Sequence, residues 1–240
     1  MTELVRLGPI GMVGLADVHR DLLDPPRHEA RPHLALNFVL TADGRASYRG
    51  RAEIGTRTDR ELMRHLRRLA DAALCGARTL DVDPFAPLLK TERSIALVVS
   101  RSAQVAPANA FFRLAGPRVV ATVAEADVAR VAALQAAGAE VVRLGSGTVD
   151  LVALAGWLAS RGVRFALCEG GPHLAAALLA ARLVDEIFLT HATLLTAEDA
   201  ARRLFEGQPD FAGARVERVA LLEGPAGERY ERLRVAYSPE

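Results

Sequence analysis

Only two cysteines occur in the 240 residues, Cys75 and Cys168, and each closes a short apolar stretch. Two thiols cannot build the disulfide framework of a small secreted domain, and they are too few for a structural zinc site. They read as reduced core thiols of a cytoplasmic protein, and no metal centre is expected. An excess of one charge is also missing. The formal net charge is +1, so no global field recruits nucleic acid or an anionic membrane. Lysine is nearly absent: Lys90 is the only one among thirty basic residues, a bias that reflects codon usage better than binding. No apolar run reaches the ~20 residues that span a bilayer. The N-terminus lacks a basic region followed by an apolar core, so no secretory signal is read there. No internal repeat is visible. The remaining class is a chain, half hydrophobic, long enough for one large α/β domain or two small ones.

The most informative stretch is Phe165-Ala-Leu-Cys-Glu-Gly-Gly-Pro172, followed by the Ala/Leu run from His173 to Ala180. Phe165 to Cys168 reads as a short buried strand and Pro172 as the first position of a helix. Glu169, Gly170 and Gly171 lie between. A glycine turn into a helix N-terminus leaves backbone N–H groups pointing outward, with the positive end of the helix dipole behind them. Phosphate is the usual guest of such a site. Taken alone, the turn is as often structural as functional. Glu169 shifts the balance, because open α/β sheets hold their ligands at the carboxyl ends of the strands.

Residues 1–30 read as an arm that packs on the surface or on a second subunit, broken by Gly8-Pro9 and Pro25-Pro26. The domain proper runs over 31–240. Its first strand is His33 to Leu40, with Asn37 the one polar residue inside it, and Thr41-Ala-Asp-Gly-Arg45 turns the chain. A buried amide at Asn37 needs partners, which suggests a lined pocket. Thr56 or Thr58 caps a helix whose inner stripe is Leu62, Leu66 and Leu69. Arg67 and Arg68 on that helix read more readily as solvated than as functional. Strands follow over 71–76, 94–101, 117–122 and 139–144. Thr79, Asp81 and Asp83 are expected in a loop, and Trp157 in the core. Gly145-Ser-Gly147 sits between a strand and a helix, where a nucleotide loop belongs, although the motif alone is weak. Alternating segments at 215–222 and 229–235, joined by Gly224-Pro-Ala-Gly227, form an antiparallel hairpin. The layout predicts an open, mostly parallel sheet with helices on both faces.

Four groups of residues together resemble a known family: Asn37 with Asp43-Gly44-Arg45, Asp71-Ala-Ala-Leu-Cys-Gly76 with Thr79, Glu169-Gly-Gly-Pro-His-Leu174, and Leu183-Val-Asp-Glu186. They are similar to the reductase domain of riboflavin biosynthesis, the C-terminal half of the bifunctional bacterial pyrimidine deaminase/reductase. The resemblance covers about Arg31 to Val235 and implies a dihydrofolate-reductase-like three-layer α/β fold. It further implies a NADPH-dependent reduction of the ribosyl group of a pyrimidine, and a homodimer.

By that resemblance Gly76 and Thr79 lie beside the cofactor, with Asn37 between cofactor and substrate. Ser100 and Arg101 meet its adenosine side, Arg101 through the 2′-phosphate. Gly145, Gly170, Gly171 and Pro172 approach the pyrophosphate, and Glu169 the cofactor or the reacting end. Thr41, Asp43 and Arg67 border the substrate. Asp43, Asp83 and Glu169 are the candidate catalytic carboxylates. The chain departs from the family in three places: Ala77-Arg78 stand where a glycine is expected before Thr79, Val82-Asp83-Pro84 replace two adjacent acids before proline, and Arg51 to Gly55 replace the usual substrate segment. No His-x-Glu with a later Pro-Cys-x-x-Cys occurs, so these residues carry no zinc deaminase signature. The cofactor half therefore matches better than the substrate half. A pterin or dihydrofolate-type reductase, a NADPH-binding protein without turnover, and a scaffold built on this fold stay open as alternatives.

Overall fold

The structure is a computed structural model and describes residues 14–50, 54–82, 91–207 and 213–237. One nine-stranded sheet carries the molecule, in the order β5-β4-β3-β2-β6-β1-β7-β9-β8. Its strands are β1 His33–Leu40, β2 Ala72–Gly76, β3 Ile95–Val99, β4 Arg118–Thr122, β5 Glu140–Arg143, β6 Phe165–Cys168, β7 Glu186–His191, β8 Ala214–Glu223 and β9 Arg229–Tyr237. The first seven run parallel, and β9 pairs antiparallel with both β7 and β8. The central strands are apolar on both faces, as a parallel sheet covered on two sides requires.

The helices are α1 Leu15–Val18, α2 Arg57–Leu69, α3 Ala77–Val82, α4 Val128–Ala136, α5 Leu151–Ser160 and α6 Pro172–Ala180. Along each strand, alternate residues sort to opposite faces. Leu34, Leu36, Phe38, Ala166 and Cys168 pack with α5 and α6. Ala35, Phe165, Leu167 and Phe188 pack with Leu62, Leu66 and Leu69 of α2, and Ala73, Cys75 and Val98 lie with Val131 and Leu134 of α4. The three-layer α/β arrangement expected from the sequence is the one observed, and both thiols are buried and unbridged.

Some local expectations are corrected. Thr79 and Asp81 belong to α3 rather than a loop, because Leu80 and Ala77 pack into the α4-side core and wind the chain. Of the two candidate caps of α2, Thr56 is the one in place, accepting from the Asp59 N–H. Trp157 is half-buried at the edge of the core, with the Arg161 guanidinium 4.8 Å from its ring centre. Asp83 and the first thirteen residues of the arm lie outside the described residues.

Candidate active site

The carboxyl ends of β1, β2, β6 and β7 meet at one edge of the sheet, and the Glu169-Gly-Gly turn sits at its centre. Gly171 is the N-cap of α6 and Pro172 its first residue, with no side-chain cap. The Gly170–Gly171 peptide is cis and Gly170 has φ 115°. The Gly170 carbonyl accepts from the Gly76 N–H at 2.8 Å, and the Gly171 carbonyl from Ala175. The carbonyls of the turn are thus used by the protein, while the first-turn N–H groups of α6 have no helical acceptor. Pro172 has no N–H, so the donors of the turn are Gly170, Gly171 and the residues after the proline. Gly76 and Thr79 close over this turn. A Cβ on Gly76 would stand 3.6 Å from the Gly171 nitrogen, and the Thr79 hydroxyl oxygen lies 3.4 Å from where a Gly171 Cβ would be. Gly76, Thr79, Gly170 and Gly171, four residues from two distant parts of the chain, are brought together. The donor-lined turn fits an anionic diphosphate.

On the α2 face the pattern Ala35, Phe165, Leu167, Phe188 turns polar toward this edge. Continuing each strand by two residues gives Asn37, Glu169 and Thr190. Asn37 is half-buried, and its side-chain amide makes no hydrogen bond among the described residues. Glu169 accepts from the Arg67 Nε at 2.6 Å, and the two side chains are only 6% and 13% exposed. Arg67 is therefore no solvated charge; its guanidinium neutralises a buried carboxylate. Thr190 donates from its hydroxyl to Asp59 Oδ1 at 2.6 Å. Asp59 is 7% exposed. Burial pushes its pKa up to about 6 against the Thr190 hydrogen bond and Arg60, with Glu228 adding to the rise.

The Asp59 and Thr190 pair escaped the sequence reading. Its one local signal was a first-turn acid, which equally suits a solvated helix start.

Thr41 is buried and its hydroxyl accepts from the Arg45 N–H at 2.9 Å. Asp43 bonds Thr41 and the backbone N–H groups of Thr196 and Ala197, which hold its pKa down to about 2. It pins the 192–207 loop, which is also stitched to Ala42 and Ala46 and reaches Pro172 through the Glu206 N–H. That loop walls the site on the β7 side.

Ser100 is buried at the end of β3, and Arg101 beside it is exposed with no ion-pair partner among the described residues. Gly145 lies apart from the group, four strand steps from β6 in the sheet order, or roughly 19 Å at the usual strand spacing. In its loop the Glu125 carboxylate takes the Ser146 hydroxyl and the Gly147 N–H.

Residues 32–223 match the RibD C-terminal domain family. The chain belongs to that family. Among its relatives, the 2,5-diamino-6-ribosylamino-4(3H)-pyrimidinone 5′-phosphate reductase of Methanothermobacter thermautotrophicus is 32% identical over 187 residues, covering 74% of this chain and 85% of that protein. A pyrimidine reductase-like protein from Corynebacterium diphtheriae has the same fold, with a TM-score of 0.77 at 22% identity, over 86% of this chain and 93% of that one. So does the diaminohydroxyphosphoribosylaminopyrimidine deaminase/5-amino-6-(5-phosphoribosylamino)uracil reductase of Thermotoga maritima, with a TM-score of 0.67 at 21% identity, over 86% of this chain and 57% of that one. This RibD-type domain accordingly has the dihydrofolate-reductase-like fold and the reductase character that the four groups of residues together implied. Among the described residues no helix is long and apolar enough to cross a membrane.

Proposed function

We propose that this RibD-type protein is a NADPH-dependent reductase of a phosphorylated ribosylaminopyrimidine. The carrying observation is the convergence of Gly76, Thr79, Gly170 and Gly171 on a donor-lined helix start beside the Arg67–Glu169 pair. Gly170, Gly171 and the first turn of α6 would hold the cofactor's diphosphate. Arg101, two strands away, is free to meet a 2′-phosphate through a charge-assisted contact. The bound cofactor supplies the hydride. The chain's own part is to position the substrate over the polar α2 face, where Asn37 offers an amide and Glu169 a charge held in place by Arg67. Asp43, an anion at neutral pH, holds the loop rather than delivering a proton. The protein acts as a homodimer in the cytoplasm. Its two unbridged thiols suit a reducing compartment, and among the described residues β8 is an edge strand of the sheet.

Calorimetry with NADPH and NADH tests the cofactor assignment. NADPH is expected to bind much the tighter of the two. Arg101→Ala should remove about tenfold or more of that preference while leaving NADH binding unchanged. Loss of reduced-nicotinamide absorbance with the pyrimidine phosphate tests turnover. Equal or absent NADPH binding rejects the reductase, and binding without oxidation reduces it to a cofactor-binding protein. Sedimentation at micromolar concentration tests the dimer.

A further inference from the structure

Four of the six histidines of the chain, His19, His28, His33 and His65, lie where the arm meets the domain. They form two pairs, each with one ring from the arm and one from the domain. His19, just after α1, stands against His65 of α2 with ring centres 5.4 Å apart. His28, near the end of the arm, stacks on His33, the first residue of β1, at 6.2 Å and 16°. Between the two pairs in sequence lies Leu22, 1% exposed, against Leu62, Leu66, Phe188 and Tyr230.

The domain-side rings are housed as neutral groups. His33 is buried, and neither of its nitrogens makes a hydrogen bond among the described residues; nor does Nε2 of His65. Asp185 and Glu186 stand 3.7 and 3.9 Å from the His33 ring, but both are committed elsewhere. Arg31 takes both oxygens of Asp185, which also has His28 Nε2 at 3.1 Å, and Arg232 takes both oxygens of Glu186. Arg232 holds Asp21 as well, two residues beyond His19. Arg68 faces His65 from its own helix. Phe188 and Phe165 complete the surroundings of His19 and His33. The charges around the two pairs are thus Asp21, Asp185 and Glu186 against Arg31, Arg68 and Arg232, which leaves no spare anion for a protonated ring. Burial is the main cause that holds His33 and His65 below the ordinary value of 6.5; Arg68 adds to it at His65, and the two carboxylates oppose it at His33.

We propose that these two histidine pairs form an acid-sensitive clasp: with neutral rings the arm lies on the domain, and protonation releases residues 15–30 and uncovers the apolar face of α2 and β7 beneath Leu22. Two imidazolium rings at these distances repel, and a charged ring without a partner must gain water. The arm is the cover whose opening supplies it. Histidine clusters at packed interfaces act in this way when the interface has two states. Release also bears on the candidate site, because α2 carries the Arg67 that holds Glu169. The clasp does not depend on the reductase reading.

The test is amide hydrogen exchange of the full chain between about pH 7.5 and 5.5, the range in which histidine titrates, corrected for the intrinsic pH dependence of exchange. Opening of residues 15–23 is expected to increase as pH falls below about 6.5, by as much as tenfold per pH unit for each proton taken up. Strands β2, β3 and β6 should keep their protection. The double variant His33→Gln/His65→Gln removes one ring from each pair and leaves a neutral polar side chain, so most of the slope should be lost. Should it fail to fold, His28→Gln, at an exposed position, removes one pair alone and should lose part of the slope. A wild-type arm whose protection does not change with pH, an equal slope in the core strands, a slope reduced by less than half in the double variant, or an unchanged slope in His28→Gln overturns the clasp.

Discussion

At the scale of single residues, Asp59 has a thermodynamic signature separate from any chemistry. The unfolded chain releases its proton near the ordinary value of 3.8, whereas the folded chain holds it up to about 6. Between those values the native state binds more protons, so stability falls as pH rises through that window, by about 3 kcal/mol in total. Thr190 and Arg60 oppose the effect and Glu228 reinforces it. Asp59→Asn keeps an oxygen for the Thr190 hydroxyl and has no proton to lose. The variant is therefore expected to be more stable than wild type near neutral pH, by up to that amount, and to lack the slope. Urea titrations across the acidic range measure it. Equal slopes in the two proteins would mean that Asp59 is already ionised in the fold. The Glu169 turn was legible in the sequence because strand, glycines and proline are neighbours and each carries a local conformational meaning. The Asp59–Thr190 and Arg67–Glu169 pairs span 131 and 102 residues, and no local pattern records which side of a helix will face which strand.

At the scale of elements, the candidate site depends on how closely β2 approaches the start of α6. Gly76 has an ordinary backbone conformation, and an added Cβ would find only normal contacts, at 3.6 Å from the Gly171 nitrogen and 3.9 Å from the Leu174 Cβ. Gly76→Ala should thus fold with a stability change below about 1 kcal/mol, in line with substitutions that neither strain the backbone nor open a cavity. Its methyl group would nevertheless stand over the turn and keep a phosphate off the N–H groups. NADPH affinity is expected to fall at least tenfold, read by calorimetry beside a thermal melt. Unchanged affinity would move the diphosphate away from α6. Element existence and order followed directly from periodicity: every predicted strand is present, and the closing hairpin runs where Gly224 to Gly227 placed it. The exception is α3. Its six residues give too short a pattern to register as a helix, and only the burial of Leu80 against the α4-side core explains why the chain winds there. Gly145 shows the converse. Its loop looks like a nucleotide loop in isolation, but the sheet order carries it to the far edge, where Glu125 bonds its Ser146 and Gly147.

At the scale of the whole molecule, the described part of the arm belongs to the fold. Leu22 is 1% exposed and packs with α2, Phe188 and Tyr230. Arg31 forms a two-pronged pair with Asp185, which also accepts from the Leu34 N–H. His28 and His33 stand close enough to that carboxylate to make a three-ligand group, but the guanidinium already neutralises it. The stronger anchor is Arg232 of β9, 4% exposed, which holds Glu186 of β7 with one side of its guanidinium and Asp21 of the arm with the other, every N–O distance between 2.7 and 2.9 Å. The two carboxylates differ in surroundings: Glu186 is as buried as the arginine, whereas Asp21 is more than half exposed. Removing the arginine strands a buried anion, which typically costs about 3–5 kcal/mol, while losing an exposed partner costs about 1 kcal/mol or less. Arg232→Ala is therefore expected to lower unfolding stability several-fold more than Asp21→Ala in urea titrations. Asp21→Ala should leave the sheet intact and raise amide exchange only over Leu15–Leu23. Similar losses from both substitutions would show that Glu186 finds another counter-charge once the arginine is gone, with His33, 3.9 Å away, the nearest group able to take a proton.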